Sequence, residues 1–339
     1  MPGCGTIATM ARVRVLEWVR YPTGVWNLPR ALAHALAAAV PEAEVWCPET
    51  RAEAEALLPA ADVVLGFAVR PDNLANATRL RWIHSTAASA THVLFPALVE
   101  SDVVVTNARG LHADAMAEHA LGVMLAFVRK LHHARDAQRA RVWAQESMSA
   151  DAPAFGSLAG ATLGLVGLGA IGSALATRAR ALGMRVHAVR RHPAADPAPA
   201  HEQWPVSRLH DLLAESDWVV VVAPHTSATE GLFGAAEFDR MKPGARFVNL
   251  GRGALVDEAA LVAALRSGKL AGAALDVFEE EPLPPASPLW DFPEVILTPH
   301  ISGLGPRYWE RAMDQFTDNL RRYLACEPLA NVVDKRAGY

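Results

Sequence analysis

The chain has 339 residues, 51% hydrophobic and 20% charged, with a formal net charge of −4. That balance excludes a disordered polypeptide and gives no support to a nucleic-acid partner. No apolar run approaches the roughly 20 residues that span a bilayer, and the length suggests two domains, each with its own core.

The N-terminal segment "MPGCGTIATMARVRVLEWVR" has no long apolar core after its basic residues, so no signal peptide is expected. Cys4, Cys47 and Cys326 lie far apart, without metal-ligand spacing, and read as packing thiols of a soluble cytoplasmic protein; no metal site is expected. In chain order, 12–19 reads as a strand and the alanine-rich 28–40 as a helix. Short buried-type strands follow at 61–67, 80–86 and 102–107. Residues 113–143 contain Gly122 but no proline and read as one long helix, with an apolar stripe of Leu121, Met124, Leu125 and Val128. Residues 149–160 read as a loop.

A second alternating series starts at 161–169, a strand and turn, followed by a helix over 170–183 and a strand over 184–189. Further strands are expected at 217–224, 245–251, 272–277 and 295–300. A final helix over 306–326 returns after that sheet is complete. The pattern predicts an α/β protein with two doubly wound parallel-sheet domains, one built from both chain ends and the other inserted into it.

"GLVGLGAIG" sets Gly167, Gly169 and Gly172 in the spacing of a dinucleotide-binding turn, after a strand and before a helix. The first glycine permits the turn, the second lets backbone approach a pyrophosphate, and the third lets helix pack on strand. The next strand ends on Arg190 and Arg191, where NAD proteins usually carry an acid for the ribose 2′-hydroxyl. Two guanidiniums instead suit a 2′-phosphate, so the pair reads as a selector of NADP over NAD.

Three further features carry chemistry. "NLGRGAL" puts Arg252 on a tight turn at a sheet edge, where it could hold a carboxylate and polarise a carbonyl. "LTPHISG" puts His300 at another strand end, a place for a proton donor. "DVFEEEPLPP" offers three consecutive glutamates, one of which could orient that histidine.

These segments, with "APHTSATEGLF", "MKPGARFVNLGRGALVDEAAL" and "AALDVFEEEPLPPASPLW", resemble the D-isomer-specific 2-hydroxyacid dehydrogenases over the whole chain, most strongly over 160–303. The resemblance implies catalysis by Arg252, Glu281 and His300. Arg252 would grip a 2-oxo acid, and Glu281 would hold His300 protonated to serve the C2 oxygen as NADPH delivers hydride. It implies cofactor contacts at Gly167, Leu168, Gly169, Ala170, Ile171, Gly172, Arg190, Arg191, Ala223, Pro224, Thr229, Leu250, Gly251, Arg252, Asp276, His300 and Gly303. Substrate contacts would come from Ala87, Ala88, Ser89, Arg252 and His300. It further implies a flavodoxin-like substrate domain over 1–107 and 303–339, a Rossmann domain over 108–302, and a homodimer built on 113–143. Glu118 and His119 read as structural. Arg307, Tyr308 and Trp309 could line a pocket or pack the last helix, and Trp143 could pack or reach a neighbouring site. Glyoxylate and hydroxypyruvate are the nearest substrate candidates. The alternatives are a formate- or phosphite-type dehydrogenase, the first disfavoured by Glu281, and a nucleotide-sensing corepressor.

Overall fold

The computed structural model describes residues 12–20, 26–150 and 154–338. Most of the N-terminal segment and part of the 149–160 loop lie outside them. The chain divides into two compact units, one running to Leu111 and resuming at Pro306, the other His112–Gly305.

The elements in chain order begin with β1 (Val13–Trp18), α1 (Arg30–Ala39), β2 (Ala43–Trp46), α2 (Arg51–Leu57), β3 (Val63–Gly66), β4 (Trp82–Ser85), α3 (Pro96–Val99) and β5 (Val104–Asn107). The second unit follows with α4 (Ala113–Val128), α5 (Leu131–Arg139), α6 (Gln145–Ala150), β6 (Thr162–Val166), α7 (Ala170–Ala181), β7 (Arg185–Val189) and β8 (Glu202–Trp204). It continues with α8 (Leu209–Glu215), β9 (Trp218–Val221), α9 (Ala235–Arg240), β10 (Ala245–Asn249), α10 (Glu258–Arg266), β11 (Leu270–Leu275) and β12 (Val295–Leu297), before α11 (Tyr308–Leu324) returns to the first unit.

In the first unit five parallel strands take the order β2-β1-β3-β4-β5, the flavodoxin-like arrangement. Both faces are buried, so β1 is apolar on both sides: Val13 and Val15 face one core, Leu16 and Trp18 the other. The amphipathic α11 covers the first of these, with Phe316 and Tyr323 stacked on Trp82 at 5.2 and 5.6 Å.

The second unit holds seven parallel strands in the order β12-β11-β10-β9-β6-β7-β8. Numbered from β6, the first six follow the doubly wound dinucleotide-binding order, with the reversal between β6 and β9. Helices α4 and α7 cover one face and α8, α9 and α10 the other. Two doubly wound parallel sheets are what the alternating pattern predicts.

The long helix expected over 113–143 is instead two helices, α4 and α5, the second ending at Arg139. The break falls where Lys130 adopts φ 52 and ψ 33, a left-handed conformation that no glycine or proline announces. The expected apolar stripe is also redistributed. Met124 and Val128 are buried in the unit's own core, whereas Leu125, Leu131, Val142 and Trp143 are exposed. Cys47 is a free thiol, but Cys326 is disulfide-bonded, against the reading of three packing thiols. Among the described residues, no helix is long and apolar enough to cross a membrane.

Candidate active site

Every motif singled out in the second unit follows the C-terminal end of a parallel strand. The glycine turn follows β6, Arg190 and Arg191 follow β7, Ala223 and Pro224 follow β9, Arg252 follows β10, Asp276 follows β11, and His300 follows β12. Ligands of open α/β sheets bind outside that edge, at the reversal of strand order, here between β6 and β9.

The glycine turn fits a nucleotide. Gly167 has φ 105, and a Cβ there would meet backbone of Val222 and Ala223. A Cβ on Gly172 would meet the Gly167 carbonyl oxygen at 2.3 Å, so only glycine lets α7 approach the strand. A Cβ on Gly169 would meet nothing within 4 Å, so the turn is open to the outside there. Gly169 caps α7 with no side-chain hydrogen bond, and the first turn, with Ala170 and Ile171, carries no acid. An anion meets free N–H groups. Leu168 is buried.

Arg190 is anchored through its backbone, its N–H donating to Trp204 O at 3.0 Å. Its guanidinium is partly exposed and forms no ion pair among the described residues, and Arg191 beside it is exposed. Thr229 pins the turn after β9: its hydroxyl donates to Pro224 O at 2.7 Å and accepts from the Thr226 N–H at 2.8 Å. Leu250 and Gly251 are buried.

Arg252 owes its place to Asn249, the last residue of β10. The Asn249 side chain accepts from Gly251 N–H and donates to Arg252 O, both at 3.0 Å, closing the Asx turn from both ends. Gly253 touches Phe278 backbone so closely that a Cβ would lie 1.9 Å from its carbonyl. The Arg252 guanidinium donates to Gly251 O at 2.7 Å. Burial lowers its pKa, and the Glu281 charge acts the other way.

His300 and Glu281 meet. His300 Nδ1 lies 2.7 Å from Glu281 Oε2, while Glu281 Oε1 accepts from Phe278 N–H at 3.1 Å and fixes the carboxylate. The three glutamates thus separate. Glu279 and Glu258, at the start of α10, each accept the other's backbone N–H on a carboxylate oxygen, Glu280 is exposed, and Glu281 reaches the histidine. Both partners of the pair are part exposed, at 45% for His300 and 35% for Glu281, so water and small solutes reach them.

His300 has φ 52, a left-handed conformation costly for a residue with a Cβ. Asp276 stabilises it. Its carboxylate is fully buried and accepts from Thr298 Oγ1 at 2.6 Å and from the Ile301 and Ser302 N–H groups at 2.9 Å. His300 N–H donates to the Asp276 carbonyl at 3.0 Å. Asp276, expected at the cofactor, therefore spends its carboxylate on the loop that carries His300. His119 Nε2 lies 3.2 Å from Thr298 Oγ1; burial lowers its pKa, with the Asp276 charge opposing. A lowered pKa keeps the ring neutral near pH 7. Its Nε2–H then donates to the threonine, whose own proton goes to Asp276. Gly303 O pairs with His112 Nδ1 at 2.9 Å, which closes the loop. Sequence reasoning missed Asn249 and Thr298, although both stand inside motifs it singled out.

In the first unit, Ala87, Ala88 and Ser89 form a loop after β4. Its carbonyls are tied back: Thr86 O to the Tyr308 hydroxyl, Ala87 O to Ala108 N–H at 3.1 Å, and Ala88 O to Asn107 Nδ2 at 2.6 Å. The Ala88 and Ser89 N–H groups have no acceptor among the described residues. Tyr308 is buried and packs edge-on against Trp26, so it braces this loop. Trp143, in the second unit, is 90% exposed.

A seven-stranded doubly wound sheet with a glycine turn at its reversal, and with an arginine, a glutamate and a histidine beyond the same edge, defines a nucleotide-binding α/β protein. The chain belongs to the D-isomer specific 2-hydroxyacid dehydrogenase family: that family's NAD binding domain matches residues 121–302. Glyoxylate/hydroxypyruvate reductase B of Salmonella heidelberg (strain SL476) is 35% identical over 320 residues, covering 92% of this chain and 97% of that protein. A D-3-phosphoglycerate dehydrogenase of Mycobacterium leprae is 34% identical over 287 residues, covering 84% of this chain and 53% of that protein. The chain thus spans about half the length of such curated relatives. An NADPH-dependent glyoxylate/hydroxypyruvate reductase from Sinorhizobium meliloti, solved with NADP and sulfate, superposes with a TM-score of 0.80 at 28% identity, covering 96% of this chain and 99% of that one.

Proposed function

We propose that the chain is an NADP-dependent 2-oxoacid reductase forming D-2-hydroxy acids, with glyoxylate and hydroxypyruvate the substrates to try first. The observation that carries this reading is the 2.7 Å pair of His300 Nδ1 and Glu281 Oε2 on a loop clamped by Asp276. With Nδ1 engaged, Nε2 is the atom left to give a proton to the substrate oxygen. Glu281 fixes the ring and balances the charge of the protonated form. Arg252, cationic even when half-buried, stabilises negative charge growing on that oxygen. In the first unit, the unpaired Ala88 and Ser89 N–H groups suit a carboxylate, so the unit is the substrate domain of this reading.

NADPH, held by the glycine turn, supplies the hydride. Arg190 and Arg191 hold its 2′-phosphate by charge-assisted hydrogen bonds and leave the 2′-hydroxyl of NADH without a carboxylate acceptor. The relative of Sinorhizobium meliloti, solved with NADP, supports that choice. We also propose a homodimer that covers the exposed Leu125, Leu131, Val142 and Trp143. A solution mass of one chain, 36.3 kDa, at micromolar concentration would overturn it.

The test is initial-rate NADPH and NADH oxidation against a panel of 2-oxo acids. Turnover of glyoxylate or hydroxypyruvate with NADPH preferred supports the reading. Nucleotide binding without turnover of any 2-oxo acid favours the corepressor alternative.

A further inference from the structure

The second unit has a pocket at the opposite edge of its sheet, away from every motif described above. It encloses about 430 Å³, and its polar lining comes from Lys130, His132, His133, Ser147, Arg246 and Glu294. Arg246 lies near the N-terminal start of β10, whereas Arg252 follows the C-terminal end of the same strand.

Arg246 is the unusual group here. Its guanidinium lies over the Trp218 ring at 5.1 Å and the Phe127 ring at 5.8 Å. These contacts hold its plane without satisfying any N–H. Its Nε is buried with no hydrogen-bond partner, and among the described residues the guanidinium makes no hydrogen bond or ion pair. Burial also lowers its pKa. Arg246 as a whole is half-buried, and a cation with a buried N–H is ordinarily paired, because its desolvation otherwise goes uncompensated.

Lys130 adds charge of the same sign, and two histidines stand beside it in the lining. Lys130 is 5% exposed and held at the left-handed break between α4 and α5, with Nζ donating to Met148 O at 2.7 Å. The His132 and His133 rings stand 4.0 Å apart, and burial together with His133 lowers the His132 pKa. Glu294 is exposed and makes no ion pair with Arg246 among the described residues. A lysine at a left-handed backbone position and an unpaired arginine in the lining of one pocket suit a bound anion.

We propose that this pocket is a binding site for a small oxyanion, a phosphate or a carboxylate, gripped by the guanidinium edge of Arg246, with Lys130 as a second cation and the two imidazole rings as further hydrogen-bond partners. The site is separate from the reacting edge, and the proposal stands whether or not the reductase reading does.

Inorganic phosphate is the probe. Because phosphate could also bind at Arg190 and Arg191, the parent for this test is the full chain carrying R190S and R191S. Melting temperature is followed against phosphate at constant ionic strength, with chloride as the control. A saturable rise in the parent, weakened at least tenfold by adding R246M, supports the site. No saturable rise in the parent, or one that R246M leaves unchanged, overturns it. Dissociation of an oligomer by R246M without any phosphate effect also overturns it, because a second copy's acid then occupies Arg246. Should R246M fail to fold, crystals of the unmodified protein soaked in selenate decide. Anomalous density at Arg246 supports the proposal, and density confined to other places overturns it.

Discussion

The two units each bring a histidine to the C-terminal half of a parallel sheet, and their fates differ. In the first unit His84, on β4, is fully buried. Its Nδ1 lies 2.8 Å from Thr106 Oγ1, and its Nε2 has no partner. Burial pushes its pKa down to about 3. In the second unit His300 stands beyond β12, part exposed, with a carboxylate at 2.7 Å. Residue type and strand-end position are shared; the neighbours are not. A neutral partner in a dry core removes a histidine from proton exchange, whereas a charged partner with access to water equips it for that exchange. The difference lies in what each loop does next. After β4 the chain ties its carbonyls back to present amides, and after β12 it is clamped by Asp276 to present a ring.

The contrast breaks first at Arg252, the cation beside the His300 pair. Arg252→Met is expected to lower kcat/KM by on the order of 10²–10³, the loss typical of one group that stabilises a developing oxyanion. Rates within threefold of the parent enzyme would remove Arg252 from the reacting centre. Exchanging Arg190 for Asp and Arg191 for Ser comes next. It should erase an NADPH preference of roughly tenfold to a few hundredfold, the worth of one net charge-assisted contact of about 1.5–3 kcal/mol. A preference that survives the exchange assigns the selectivity to other residues.

Asp276→Asn sharpens the comparison by loosening the clamp while leaving the Glu281–His300 chemistry present. An amide cannot accept from Thr298, Ile301 and Ser302 together, so kcat should fall about tenfold or more with NADPH affinity little changed. An equal fall in NADPH affinity would point to a direct cofactor contact instead. The smallest effect is on stability in the first unit. The His84 pKa is depressed in the folded state, so the unfolded chain binds the extra proton. The neutral form's stability is therefore present above about pH 6.5 and lost progressively toward pH 3, with a slope of at most about 1.4 kcal/mol per pH unit. Urea midpoints between pH 7 and 5 measure this, and His84→Leu should flatten the slope. An identical slope in the variant would mean that other groups set the acid limit.

Much of this was legible in the sequence because strands buried on both faces are written as apolar runs. Two edge strands escaped, β2 with "AEVW" and β8 with "EQW", because short, half-polar edges carry no such run. The break at Lys130 escaped because it rests on contacts made by its side chain rather than on a helix-breaking residue. At the candidate site, Arg252, Glu281 and His300 were legible through motif order. The work of Asp276, Asn249 and Thr298 was not, since a carboxylate's burial and the amides it meets depend on the packed loop. Asp276 reads in sequence as one more polar group near a cofactor; its surroundings turn it into the support of a left-handed histidine.

In the proposed reaction His300, held by Glu281, gives the proton in an NADPH-dependent reduction. The most direct measurement takes wild type and His300→Ala side by side. NADPH binding is followed by fluorescence, and single-turnover oxidation of bound NADPH is followed with glyoxylate or hydroxypyruvate. Closely similar NADPH affinities are expected, with a chemical step slower by on the order of 10²–10⁴ in the variant. A variant that binds NADPH and reduces substrate at a near-normal rate would contradict it.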